Sequence, residues 1–246
     1  MNIVLLGATK GMGRALARLC AENGDRLFLL GRDAEDLERS QADLSARSGA
    51  ASVVGRALCD LEQTETFQTA LAQAKQTLGH VDAVVVTAAL FGTQEELEAD
   101  SVLTERVLRT NFVNTVLFCE AAKRVLLAQG GGILCVFGSV AGDRARKKVV
   151  LYGASKAGLA AYLEGLDYKH HADGLRVICV RPGFVKTGMT AGLSPPPFAG
   201  EPEHVAKEVR AALLHPRPVV YTPQIWQWVM LAIDHLPKAV MRRLHF

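Results

Sequence analysis

The chain has 246 residues, a formal net charge of +3, 49% hydrophobic and 22% charged residues. That length carries one sizeable core, and the composition excludes a collagenous, disordered or disulfide-dense chain. So small a charge leaves no electrostatic footprint for nucleic acid. The opening MNIVLLGATKG lacks a basic leader and is too short an apolar run for a signal peptide, and no stretch reaches the ~18–20 apolar residues that span a bilayer. A cytoplasmic protein is expected. Cys20, Cys59, Cys119, Cys135 and Cys179 form no CxxC pair and no zinc-ligand spacing. They read as small buried hydrophobes in a reducing compartment, and no metal site is expected.

In chain order, Val/Ile/Leu-rich runs alternate with helical segments. Strands are predicted at Asn2–Leu6, Arg26–Leu30, Ala51–Leu58, Asp82–Thr87, Gly132–Phe137, Leu175–Val180 and Pro218–Tyr221. Helices are predicted at Met12–Asn23, Leu61–Leu78, Val102–Gln129, Tyr152–His171 and Pro202–His215. Most strand runs are continuously apolar, as strands buried on both faces are, which points to a parallel sheet. The alternation predicts a single α/β domain over residues 1–246, a doubly wound parallel sheet of about seven strands with helices on both faces. The Pro- and Gly-rich stretch Arg181–Gly200 is a long irregular segment of the kind that often serves as a lid.

The first strand runs into Gly7-Ala8-Thr9-Lys10-Gly11-Met12-Gly13 and then a helix. Glycines let the turn adopt positive φ and let the backbone approach a phosphate, while the helix start offers free N–H groups to it. A glycine turn alone is weak; between the first strand and first helix of a βαβ unit it is the context a dinucleotide needs. At the second strand's tip, Gly31 precedes Arg32 and Asp33. Arg32 and Lys10 together suit the 2′-phosphate of NADP(H), which is preferred here over NAD(H). Asp33 either caps the next helix or repels that phosphate.

Tyr152 and Lys156 stand four residues apart on one helical face. A free tyrosine has a pKa of ~10, and a neighbouring ammonium favours phenolate, which suits acid/base work. Lys156 can do this while donating to the nicotinamide ribose. Ser139, at a strand's carboxyl end, can hydrogen-bond a substrate oxygen as charge develops on it. Asn111, a poor helix former, falls mid-helix and suggests a polar role. Separately these are a capping serine, a core tyrosine and a surface lysine; jointly they are the predicted catalytic set Asn111, Ser139, Tyr152 and Lys156.

These residues resemble the short-chain dehydrogenase/reductase family, over nearly the whole chain. The match runs through Gly7, Gly11 and Gly13, Asp60-Leu61, Asn111, Ser139, Tyr152, Lys156 and Arg181-Pro182-Gly183 leading to Thr187. The resemblance implies a Rossmann-like NAD(P)-dependent oxidoreductase. It implies that Asp60 and Leu61 flank the adenine, that Asn111 holds a water in a proton relay from Lys156, and that Val185 and Thr187 contact the carboxamide end of the cofactor. The implied cofactor set is Gly7, Thr9, Lys10, Gly11, Met12, Gly13, Arg32, Asp60, Leu61, Ala88, Tyr152, Lys156, Pro182, Gly183, Val185 and Thr187. Two segments depart from the family: Leu6 stands where threonine is usual, and Val86-Thr87-Ala88-Ala89 replaces Asn-Asn-Ala-Gly.

Between Ser139 and Tyr152, the cations Arg144, Arg146, Lys147 and Lys148 suggest an anionic substrate such as a phosphate or lipid head group, or a solvated charge run. Residues 222–246 form a C-terminal amphipathic extension. Trp226, Val229, Met230 and Ile233 share helical spacing, with Lys238, Arg242 and Arg243 further on, which describes either an interfacial helix on anionic lipid at the inner membrane face or a helix covering the core or a partner subunit. Loop and tail also resemble the branch that reduces a decaprenylphosphoryl-2-keto-pentofuranose, implying a keto-sugar on a lipid phosphate carrier. The alternatives are a soluble ketoreductase for a small or acyl-carrier-bound ketone, and an idle NADP-binding regulator. A homodimer or homotetramer is expected, since the resemblance implies that the helices at 102–129 and 152–171 pair about a two-fold axis.

Overall fold

Seven parallel strands form one sheet: β1 (Asn2–Leu6), β2 (Arg26–Gly31), β3 (Val53–Leu58), β4 (Ala83–Val86), β5 (Gly132–Phe137), β6 (Leu175–Pro182) and β7 (Val219–Thr222), in the spatial order β3-β2-β1-β4-β5-β6-β7. The computed structural model describes residues 1–48 and 52–244. The predicted strand start at Ala51 and the last two residues of the predicted C-terminal extension lie outside the described residues. The register is continuous through the middle of the sheet, where Ile3 pairs with both Leu27 and Ala83.

The helices are α1 (Gly11–Glu22), α2 (Ala34–Ser48), α3 (Thr66–Leu78), α4 (Gln94–Ala99), α5 (Ser101–Leu108), α6 (Thr115–Leu127), α7 (Val150–His170), α8 (Pro202–Leu214), α9 (Ile225–Asp234) and α10 (Lys238–Met241). Because strand side chains alternate, every central strand feeds two cores. Ile3, Leu5, Leu27, Leu29 and Val85 pack with α1, α2 and α8 on one face. Val4, Leu6, Phe28, Leu30 and Val84 pack with α3, α6 and α7 on the other. Burial on both faces explains the continuous apolar runs. Leu16 and Leu29 are fully buried, each contributing ~1.5–3 kcal/mol of transfer free energy.

The departures from expectation are local. Helix α2 was not predicted: its sequence is mostly polar, and it buries chiefly Leu37 and Leu44. The helix expected from Leu61 starts at Thr66, because Asp60 organises a turn, accepting the Gln63 N–H on its carbonyl (2.9 Å) and the Glu62 N–H on its carboxylate (3.0 Å). The helix expected over 102–129 is broken by a π-helical turn, Arg109–Asn114, where the Thr115 hydroxyl donates to the Thr110 carbonyl at 2.8 Å. Ahead of it, α4 opens with a capping box between Thr93 and Glu96. Asp33 accepts the Asp36 N–H at 2.8 Å, so the first of its two readings, the helix cap, is the one observed.

Candidate active site

Strand order reverses at β1 and β4, and a cleft of about 310 Å3 opens at their carboxyl ends. The turn from β1 to α1 forms one side. Gly7 (φ +94°) and Gly11 (φ +51°) hold left-handed backbone. A Cβ on Gly13 would strike the Gly7 carbonyl, so glycine there lets α1 start directly beneath the turn. Lys10 precedes α1 without a side-chain cap bond, and the first turn holds no acidic residue. Its N–H groups and positive dipole end therefore suit the pyrophosphate of a dinucleotide.

Of the predicted cofactor residues, Gly7, Thr9, Lys10, Gly11, Met12, Gly13, Arg32, Asp60, Leu61, Ala88 and Thr187 line this one cleft. Tyr152, Lys156, Pro182, Gly183 and Val185 lie outside its lining: Tyr152 and Lys156 stand on α7, Pro182 ends β6, the Gly183 N–H donates to Thr222 O at 3.0 Å, and Val185 is buried in a bridge to Gly200. Lys10 and Arg32 are exposed but paired. Lys10 Nζ is 2.8 Å from Asp36, whose carboxyl it holds below its usual range, and Arg32 Nη1 is 3.8 Å from Glu62. Glu62 is gripped more closely by Arg106 (2.6 and 2.8 Å). Where the chain departs from the family, Thr87 does the joining: its hydroxyl reaches the carbonyls of Leu6 (3.2 Å) and Gly7 (3.0 Å), tying β4 to the glycine turn.

Helix α7 carries Tyr152 and Lys156 one turn apart, and Ser139 follows β5. Ser139 Oγ accepts the Ala141 N–H at 3.0 Å, and Ser139 also draws the pKa of the Tyr152 phenol downward. Lys156 is buried and donates from Nζ to the Phe137 carbonyl at 2.9 Å, with Nζ 5.8 Å from the Tyr152 ring centre. Burial pushes the phenol up to about 12, with Ser139 acting against it, and pulls Lys156 down to about 8. The expectation that the ammonium lowers the phenol is not met in this geometry. The hydrogen bond of Nζ goes to a carbonyl, and Ser139 is the group that acts downward on the phenol. Asn111 lies fully buried on the π-helical turn and commits both ends of its amide to Leu90, accepting its N–H and donating to its carbonyl, each at 2.8 Å.

Sequence reasoning missed several neighbours. Phe91, next to the cleft-lining Leu90, packs edge-on against Tyr152 with ring centres 5.2 Å apart. Arg181 lies 3.1 Å from the buried Asp143 carboxylate and donates to the Tyr221 hydroxyl at 3.0 Å. Neither contact leaves a local signal, because the partners come from separate strands and loops. The basic loop is mostly a clasp on the tail: Arg144 donates to Leu236 O (3.0 Å), Lys147 to Arg242 O (2.6 Å), and Arg146 is half-buried near Asp143 and Asp234. The apolar stripe of α9 turns inward, with Trp226 and Met230 buried against Val140 and with Val229 and Ile233 beside them. Of the two expectations for that stripe, core cover is the one observed.

A parallel sheet with a glycine turn at its switch point and a Tyr/Lys pair opening a helix beside it defines a Rossmann-type oxidoreductase. The family model for short chain dehydrogenases matches residues 1–197, and the chain belongs to the short-chain dehydrogenase/reductase family. An uncharacterised oxidoreductase of Mycobacterium tuberculosis is 32% identical over 242 residues, covering 98% of this chain and 96% of that protein. Carbonyl reductase family member 4 of Danio rerio is 33% identical over 225 residues, covering 87% of this chain and 91% of that one. Among solved structures, an actinorhodin polyketide ketoreductase with NADPH shares the fold, with a TM-score of 0.78 at 21% identity over 89% of this chain and 94% of the other.

Proposed function

We propose that the protein is an NADP(H)-dependent carbonyl reductase, run in reverse as an alcohol dehydrogenase, with Tyr152 as its acid/base. The observation that carries this is the gathering of Ser139, which acts on the Tyr152 phenol, and of a buried Lys156 5.8 Å from the Tyr152 ring centre. The nicotinamide cofactor, when bound in the glycine-turn cleft, supplies or accepts the hydride. A carbonyl oxygen set between the two hydroxyls accepts a hydrogen bond from Ser139 and the proton of Tyr152 as negative charge grows on it. A phenol near 12 is fully protonated at neutral pH, the form reduction needs. Lys156, near 8, is then mostly cationic, and it steadies the phenolate left behind by turning to it from the Phe137 carbonyl. Asn111, committed to Leu90, holds the Leu90–Phe91 wall against Tyr152. The intact Ser139–Tyr152–Lys156 set speaks against an idle regulator. Tyr152→Phe keeps the ring and removes the proton, so turnover of a ketone should fall by ~10²–10⁴-fold with nucleotide binding retained. Near-normal turnover would sink the assignment.

The preference for NADP(H) is supported by Lys10 and Arg32 at one corner of the cleft and by the ketoreductase with NADPH that shares the fold. For the substrate, a small or carrier-bound ketone is the general reading, in keeping with the carbonyl reductase relative. A keto-sugar on a lipid phosphate is the specific one. The clasp takes Arg144 and Lys147 out of a phosphate-binding role, so its support rests chiefly on the outer face of α9, where Ile225, Trp228 and Leu231 are exposed ahead of Lys238, Arg242 and Arg243. Among the described residues no helix is long and apolar enough to cross a membrane, so any such contact is peripheral. Binding of anionic vesicles by the wild type but not by Trp228→Ser/Leu231→Ser separates the two readings. A cytoplasmic setting suits five unpaired, buried thiols, and homo-oligomers suit the apolar outer stripe of α6 and α7.

A further inference from the structure

Trp226 touches three parts of the molecule that sequence holds far apart. It is 8% exposed, the second residue of α9, and its indole N–H donates to the Phe198 carbonyl at 3.3 Å. The indole lies flat on Gly183, where any Cβ would overlap it. On another side it packs with Met230 against Val140, the residue after Ser139. One side chain thus meets the tip of β6, the loop behind the catalytic serine, and the far end of the segment from Phe184 to Gly200.

That segment is a flap with a closed neck. Gly200 donates to Phe184 O (2.8 Å), and Lys186 donates to Gly200 O (2.9 Å). Gly200 also sits against Pro223, just ahead of α9. Within the flap, Thr187, Gly188 and Met189 line the cofactor cleft. Phe198 has φ +66°, an unfavourable backbone for a non-glycine residue, and its own ring is 58% exposed. The ring therefore does little to hold that conformation; the turn bond from the Ala199 N–H to Pro196 O (3.3 Å) sets it, and the indole caps its carbonyl from outside. The tail that carries Trp226 is in turn pinned through Leu236 to Arg144 and through Arg242 to Lys147.

We infer that Trp226 is a positioning residue: by joining Gly183, Phe198 and Val140 it sets the height of the Phe184–Gly200 flap over the cleft and the placement of Ser139 beneath it. The C-terminal helix is then a working wall of the reaction chamber. This rests on the cleft being the nicotinamide site, and the two claims are separable. Trp226 does not touch the reacting groups; it acts through the flap, whose position governs how substrate and cofactor are held.

The test uses the full chain with Trp226→Phe, which keeps an aromatic ring and loses the N–H, and Trp226→Ala. Hydrogen exchange of the protein without nucleotide reads the clamp directly. Amides of residues 184–200 should exchange ~10-fold or more faster in both variants while strands β1, β4 and β5 keep their protection. NADPH titration and turnover of a vicinal diketone read the consequence: dissociation and Michaelis constants should rise by about fivefold or more in Trp226→Ala, with the pH profile unchanged. Trp228→Phe leaves Trp226 as the one tryptophan, and its emission should shift when NADPH is added. Flap exchange identical to wild type in both variants overturns the clamp, as does faster exchange spread evenly over the sheet. If the flap loosens as expected but wild-type protein binds neither NADPH nor NADH, the clamp stands and the nicotinamide reading of the cleft falls.

Discussion

Lys156 Nζ lies 5.8 Å from the centre of the Tyr152 ring, yet its hydrogen bond goes at 2.9 Å to the carbonyl of Phe137. Lys156 is buried and Tyr152 partly so, and each is pushed toward its neutral form, Tyr152 to about 12 and Lys156 to about 8. At neutral pH the pair is a neutral phenol beside a mostly charged amine. As pH rises past 8 the amine loses its proton first.

The pH profile of reduction follows from that order. The value of kcat/KM reports groups of the free enzyme, so it should fall through a single proton loss near pH 8, set by Lys156 and not by Tyr152. Lys156→Arg keeps a charge that does not titrate in this range, and the alkaline limb should move upward even if the maximum drops. A wild-type profile that is flat to about pH 10 removes Lys156 from the proton economy.

Stability should show the opposite face of the same residue. The folded value of Lys156, about 8, lies below its free value of 10.5, so the native state binds fewer protons than the unfolded chain between them. The cost of burying the charge is fully present below pH 8, diminishes as pH rises, and is gone above about 10.5; its size is about 3 kcal/mol. Lys156→Met should therefore raise the denaturation midpoint at neutral pH, with the gain shrinking toward pH 10.5, while abolishing turnover. Equal midpoints for variant and wild type at neutral pH would show that the charge is better solvated than its burial implies.

Nucleotide choice depends on the Arg32 corner. A charge-assisted hydrogen bond to phosphate contributes ~1.5–3 kcal/mol, so Arg32→Ala should weaken NADPH by about tenfold or more and leave NADH nearly unchanged. Glu62 competes for Arg32 at 3.8 Å, and Glu62→Gln should tighten NADPH modestly. Calorimetric titration of both nucleotides into both variants checks this. Equal affinities of the wild type for NADPH and NADH would refute the preference.

The outer face formed by the π-helical turn and the first turns of α6 and α7 should be an interface. Phe112, Val113, Leu117 and Val150 are 37%, 45%, 47% and 51% exposed, more apolar surface than one helix face normally leaves to water. Sedimentation velocity should give a dimer or larger, and Leu117→Glu should shift it to monomer without unfolding. A wild-type monomer at micromolar concentration ends the claim.

Much of this was legible in the sequence because its signals are local. The glycine turn, the continuous strands and the Tyr152/Lys156 spacing each span a few residues, and the structure brings Gly7, Arg32, Asp60 and Thr187 to one cleft. Helix α2 was not legible, since Leu37 and Leu44 are too sparse a stripe to announce it. Helical spacing placed Trp226, Met230 and Ile233 on one face but could not say which way the face points; Val140, their partner, is more than eighty residues away. The loop cations looked like a phosphate site because what they meet, the carbonyls of Leu236 and Arg242, lies over ninety residues downstream. Thr87 was equally hidden: as a departure from the family motif it gave no hint that its hydroxyl would tie β4 to the turn.

The π-helical turn at Arg109–Asn114 can also be viewed as an indel. A wide turn of this kind amounts to one residue inserted into a regular helix, and each α-helical residue advances the chain by about 100°. Deleting a single residue such as Val113 would therefore wind α5 and α6 into one uninterrupted rod and rotate everything ahead of the cut by roughly that angle. Val107, fully buried, would swing outward, and Asn111 would lose its double grip on Leu90. The rotational phase of α5 is thus set independently of the phase of α6, and one codon in frame separates the two settings.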